Sequence, residues 1–168
     1  MVGIIPQELI QNKILFIRGK KVMLDKDLAV LYHVKPIRLR EQVKRNVRRF
    51  PSDFMFRINE KEVHALVSQN AIPSKMHLGG HLPYAFTEHG ILMLSSVLNS
   101  ERAVEVNIQI MRTFTKLRQL MIEHTDLRKK IEETESKYDY QFKVVFKAIK
   151  KLLEPPRTSK GVIGFQVR

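Results

Sequence analysis

Between residues 101 and 153 the chain carries neither glycine nor proline, and this run constrains the fold more than any other feature. Ser100 is placed to cap it, and Pro155-Pro156 forbids its continuation. The spacing predicts one long helix. Its first half has a broad apolar face (Ala103, Val104, Ile108, Ile110, Met111, Phe114, Leu117) of the kind that packs on a core. From Leu117 onward the pattern narrows to a 3-4 spacing through Leu120, His124, Leu127, Ile131, Thr134, Tyr138, Gln141, Val145, Ala148 and Leu152. That is a coiled-coil seam with polar residues at three places, His124, Thr134 and Gln141.

A globular domain has no use for a helix running about 30 residues past its own core. The pattern therefore divides the chain into a compact domain at 1–119, a helical or coiled-coil dimerisation arm at 120–153 and a flexible tail at 154–168. A homodimer held by Leu120, Leu127, Ile131, Tyr138, Val145 and Leu152 is expected. The competing arrangement folds the arm back as a helical hairpin, bending near residues 124–126 or at Thr134.

Residues 14–24 hold two short strands, ILFI and KVML, joined through Arg18-Gly19-Lys20-Lys21 as a β-hairpin with a basic tip. Asp25 is placed to cap a short helix reaching about His33. Val34-Lys35 make a turn, and Pro36 opens a second helix expected to stop at Phe50, ahead of Pro51. Winding residues 36–50 at about 100° per residue puts Leu39, Val43, Val47 and Phe50 on one stripe. Arg38, Gln42, Arg45, Arg48 and Arg49 fall on the other side, with Glu41 the one acid among them.

FMFRI is a strand pattern, and Asn59 with Glu62 has the spacing of a capping box that opens a helix over KEVHALVSQ. Residues 70–81 read as a loop. LPYAF is a further strand, expected to pair with FMFRI as a second hairpin-like element and a wing. Thr87 caps an apolar helix, HGILMLSSVL, suited to burial. The expected architecture is α+β: a small winged-helix-like domain with two short hairpins and a helix-turn-helix-like pair, followed by the long C-terminal helix or coiled coil.

Charge narrows the function classes. The 168 residues carry a net charge of +13, which calls for a polyanionic partner, nucleic acid first and an acidic membrane surface second. The charge is concentrated: residues 1–50 hold 12 Lys+Arg against 4 Asp+Glu, whereas residues 51–100 hold 3 against 4. No apolar run approaches the roughly 18 residues needed to span a bilayer. The N-terminus lacks the pattern of a secretory signal. Cysteine is absent, which removes disulfides, thiolate zinc sites and thiol nucleophiles and fits a reducing cytoplasm.

Candidate catalytic groups do not assemble into a recognisable set. His77 and His81 have helical metal-ligand spacing, but Gly79-Gly80 between them opposes a helix. His89 reads as a core-edge histidine bonded to backbone. Ser95 and Ser96 lie mid-helix without a strained turn. Glu135-Ser136-Lys137, the one nuclease-like triplet, sits in the coiled-coil stretch, and Glu60 and Glu62 are explained by capping and the helix dipole. The expectation is no enzyme, no metal and no cofactor, with a metal-dependent nuclease as the remote alternative.

The residues instead describe a reader of double-stranded DNA. Lys20, Lys21, Lys44 and Arg48 are expected on backbone phosphates, and Arg38, Gln42, Arg45 and Arg49 at base edges. Asn46, nearer the flank, contacts a base or a phosphate, or bonds locally. A protein-interaction module, in which the coiled coil is the active part and DNA contact is incidental, is the other class.

Three blocks carry a family resemblance: RGKKVMLDKDLAVLYHV, REQVKRNVRRFPSDFMFRI, and LPYAFTEHGILMLSSVLNSERAVEVNIQIMRTFTKLR. Over residues 14–118 the chain resembles the phage and bacterial KilA-N superfamily, most closely its Orf-six-N subgroup. The resemblance implies a small DNA-binding domain of phage transcriptional regulators or antirepressors. It carries over to Lys44, Arg45, Asn46, Arg49, Phe50 and Pro51, and to Thr87, Glu88 and Gly90. The loop before LPYAF departs from the family, offering Lys75, His77 and His81 where relatives are more basic.

Overall fold

The computed structural model describes residues 3–153; the tail at 154–168 and the side chains at 135, 138–142, 146 and 150–153 lie outside the described residues. The architecture is α+β, a four-stranded antiparallel sheet with helices and a long C-terminal helix. A short helix α1 (Gln7–Gln11) buries Ile10 and was not foreseen. Strands β1 (Leu15–Ile17) and β2 (Lys20–Leu24) form the expected hairpin, with Ile17 opposite Lys20. Its loop is only Arg18 and Gly19, at φ 52° and 73°. Two left-handed residues match the right-handed twist of the strands, so Lys20 and Lys21 belong to β2 and not to the turn.

Strand β4 (Tyr84–Thr87) pairs with β2 on one side and with β3 (Met55–Arg57) on the other, giving the order β1-β2-β4-β3. The expected FMFRI–LPYAF pairing forms, with Phe56 opposite Ala85. It is no projecting wing, however, because β4 is an inner strand of the one sheet.

Alternation along the strands splits the core in two. Val22, Leu24 and Ala85 join Leu15 and Ile17 on one face, where α4 (Glu60–Ser68) adds Val63 and Leu66. The segment 70–81, expected to be all loop, contributes buried Ile72 and Leu78 and winds into a 3-10 turn, Lys75–Leu78. Met23 and Phe86 point the other way, into the larger cluster. That cluster takes Leu28 and Tyr32 from α2 (Asp25–Tyr32), Leu39 and Val43 from α3 (Pro36–Arg45), and Ile91 and Leu94 from α5 (Glu88–Leu98). Ala103, Val106, Ile110 and Phe114 of α6 complete it.

Helix α6 spans Glu101–Leu153, and Ser100 caps it as expected, accepting from Ala103 N at 3.1 Å. The predicted core face needs correcting. Val104 and Ile108 are 50% and 46% exposed, while Asn107 and Thr113 are buried. Apolar character alone could not separate the two sides of a helix that is apolar on both. The buried polar positions are paired: Asn107 accepts from the Tyr32 hydroxyl and donates to Ile91 O at 2.7 Å. Burial raises the Tyr32 pKa well above the usual phenol value, so this hydroxyl remains a donor.

The chain divides into two compact units, the first Met1–Gln119 and the second beginning at Leu120. In the second unit Leu120, Leu127, Ile131 and Val145 are all exposed. The expected seam positions Tyr138 and Leu152 have side chains outside the described residues.

Candidate nucleic-acid interface

Helices α2 and α3 are joined by residues 33–35, with His33 left-handed at φ 55° and Pro36 in the first turn of α3. Asp25 is not the N-cap expected of it; Leu24 holds that place. The Asp25 carboxylate is fully buried, accepting from Lys26 N at 2.8 Å and from Arg40 Nε at 2.6 Å. A carboxylate there is stable only because the guanidinium enters with it. Arg40, which the sequence did not single out, thus ties α3 to the start of α2.

Helix α3 stops at Arg45, five residues short of the expected end. Asn46 leaves helical geometry at φ −120°, and its side-chain amide donates to Gln42 O at 2.9 Å, the local bonding the sequence left open. The chain then winds tighter, as a 3-10 turn at Val47–Arg49. Three residues per turn in place of 3.6 rotates everything downstream. Val47 swings out to 62% exposure, whereas Phe50 turns in and meets Phe86 edge-on at 5.9 Å. The expected stripe therefore holds at Leu39, Val43 and Phe50 and fails at Val47.

The nine expected contact residues fall into separate groups. Arg38 is exposed and paired with Glu41 at 3.2 Å. Gln42 is half-buried, and Asn46 is spent on its carbonyl. Lys44 and Arg45 occupy the last turn of α3, where cations also suit the helix dipole, and Arg48 is exposed on the 3-10 turn. Arg49 donates to Ser96 Oγ of α5 at 3.0 Å. Among the described residues the side chains of Lys44, Arg45 and Arg48 form no ion pair, so three uncompensated charges sit together at the C-terminal end of α3; Lys20, Lys21 and Lys35 are likewise without an ion pair but lie elsewhere.

Lys20 and Lys21 are not brought to that cluster. They line a depression of about 450 Å³ shared with Asp53, Glu88 and Arg118. Lys44 instead borders a groove of about 570 Å³ whose opposite wall is Arg57, His81 and Tyr84. Arg57 was missed; strand alternation through FMFRI, which sets it opposite Tyr84, was the signal. Arg18 is unavailable for a basic tip: it pairs with Glu62 at 2.6 Å and lies 4.5 Å above the Phe56 ring. The guanidinium beside it holds the Glu62 carboxyl below the usual carboxylate range. Glu62 also closes the predicted capping box with Asn59.

The positions around the start of α5 have a packing role. Thr87 Oγ1 donates to Asp53 O and Phe54 O, both at 3.1 Å. A Cβ on Gly90 would land on the Phe54 carbonyl, so only glycine lets the turn before β3 close over α5. Glu88 pairs with Arg118. His89 is exposed and stacks on Phe54 at 5.3 Å, rather than bonding backbone at the core edge.

Among the described residues no group of three or more His, Asp or Glu is placed to hold a metal ion, and no helix is long and apolar enough to cross a membrane. Residues 12–97 match the ORF6N domain, a phage-type family, and the chain belongs to that family. The match ends within α5, short of the Arg118 limit read from the sequence. No curated protein and no solved structure matches the chain.

Proposed function

We propose that this member of the ORF6N family is a sequence-specific double-stranded DNA-binding protein, a transcriptional regulator or phage-type antirepressor, that acts as a homodimer and not as an enzyme. The observation that carries the reading is the set of unpaired cations Lys44, Arg45 and Arg48 at one end of α3. Such groups attract a polyanion without first giving up a partner, and the arginine fork suits both phosphate and guanine. Helix-turn-helix proteins often read bases from the N-terminal part of the second helix. Here that part is committed elsewhere, Arg38 to Glu41 and Arg40 to Asp25. The duplex is approached through the last turn of α3 and the 3-10 turn after it. Lys44 and Arg48 take phosphates, Arg45 with Gln42 and Arg49 reach base edges, and Lys20 and Lys21 add attraction from their own depression.

Titration of duplex DNA from about 50 to 200 mM salt, with and without a chelator, tests the reading. A log–log slope of about −5, unchanged by chelation, is expected if about six phosphates are neutralised. A flat salt response overturns it. The exposed Leu120, Leu127, Ile131 and Val145 favour a second reading, in which the arm binds a protein and DNA contact is incidental. Gel-shift competition between a selected duplex and excess random DNA separates the two, because incidental binding has no specificity ratio.

A further inference from the structure

On the first unit, α6 and α5 leave an open apolar groove of about 510 Å³. Its walls are Leu92 of α5 with Val104, Ile108 and Met111 of α6; Leu92, Val104 and Ile108 are 46%, 50% and 46% exposed. The four side chains form one stripe, since 104, 108 and 111 follow helical spacing. We infer that this stripe is a self-complementary interface for a second copy of the chain, laid antiparallel about a two-fold axis at Ile108.

The charges beside the stripe select that occupant. Arg112 and Lys116 line its C-terminal end, and helical spacing places Glu101 and Glu105 beside its N-terminal end. Within one chain these neighbours are like on like: Glu101 lies one turn from Glu105, and Arg112 one turn from Lys116, spacings that repel. No ion pair relieves them among the described residues, although Lys116 reaches Gln7 Oε1 at 3.1 Å. Glu105 and Arg112 are seven apart, two turns, so they do not meet within the helix.

An antiparallel copy changes the neighbours. With Ile108 set against itself, Val104 faces the partner's Met111. On one flank Glu105 then faces the partner's Arg112, and Glu101 the partner's Lys116. All these pairs share one centre to within a residue, and each occurs twice by symmetry. A parallel copy would instead bring the two acidic ends to one level and the two basic ends to the other, pairing no opposite charges. An acidic peptide would satisfy Arg112 and Lys116 but meet repulsion from Glu101 and Glu105. The interface uses first-unit residues alone and does not rest on the seam beyond Leu120.

The absence of native cysteine permits a direct test. In the full chain, Ile108→Cys becomes a covalent dimer on mild oxidation, because the two-fold brings the residue to its own copy. Leu127→Cys, run beside it, reports the arm separately. Reversing one charge, Glu105→Arg or Arg112→Glu, weakens self-association roughly tenfold, measured by sedimentation. The double variant E105R/R112E returns to within about threefold of the original, since opposite signs face each other again. Circular dichroism confirms that each variant is folded. A chain monomeric at every concentration, Ile108→Cys that fails to cross-link where the chain is dimeric, or a double variant no tighter than the singles overturns the inference.

Discussion

Arg40 Nε lies 2.6 Å from Asp25 Oδ2, and the carboxylate it meets is wholly shielded from solvent. The two residues are fifteen apart in the chain and join the first turn of α2 to the middle of α3. The pair therefore sets how α3 is presented, although neither member belongs to the proposed contact set.

Arg40→Met should consequently destabilise the fold by about 3 kcal/mol, the order found when one partner of a buried pair is removed. The Asp25→Leu/Arg40→Met double variant should recover a large part of that loss, because no charge is then left stranded. Urea denaturation of the three proteins measures both numbers. A single variant as stable as the parent would mean that the carboxylate finds other partners.

Gly90→Ala should cost about 1–3 kcal/mol, since the added methyl displaces the Phe54 carbonyl and with it the Thr87 bonds to Asp53 and Phe54. The loss should appear in thermal melting of the whole chain. Ser96→Ala, at an exposed position, should leave stability within about 0.5 kcal/mol.

Arg45→Ala is expected to cost about 1–3 kcal/mol on a selected duplex and to relax sequence preference. Lys44→Ala and Arg48→Ala should weaken all duplexes alike and reduce the salt slope by about 1 each. Arg38→Ala should matter less, because its guanidinium is already held by Glu41. Fluorescence anisotropy on selected and random duplexes distinguishes these outcomes; Arg38→Ala stronger than Arg45→Ala would move the contact to the N-terminal end of α3.

Acid should dissolve the Arg18–Glu62 contact. The folded Glu62 pKa is depressed, chiefly by the hydrogen bond from Arg18, so its contribution is present above the unfolded pKa. That contribution is lost as pH falls through the folded value. Because both groups are solvent-accessible, the effect on overall stability should be small. NMR titration of the Glu62 carboxyl should give a value below the usual range in the parent and a higher one in Arg18→Ala. Equal values would show that the ion pair contributes nothing in solution.

Local rules carried much of the fold. The capping box at Asn59 and Glu62, the Thr87 and Ser100 caps, Pro36 at the start of α3 and the antiparallel β3–β4 pair were all legible, because each depends on a few adjacent residues or on alternation. The start of α6 followed from Ser100; its expected stop at Pro155-Pro156 lies outside the described residues. What sequence patterns did not reach was decided by partners distant in the chain. Asp25 looked like a cap until Arg40 arrived from the next helix. Val47 fitted an apolar stripe until Asn46 bonded Gln42 and the winding tightened. Val104 left the core face expected of it, and Asn107 is buried instead, because Tyr32 and Ile91 give the amide its partners in the interior. The cations of the first 50 residues looked like one basic surface, and only packing separated those paired with Asp27, Glu62, Glu41 or Asp25 from Lys44, Arg45 and Arg48 at the end of α3, which form no ion pair among the described residues. Periodicity reports which side chains favour burial, whereas the tertiary structure determines which polar groups can be buried with their bonds satisfied, and that second condition chose the faces.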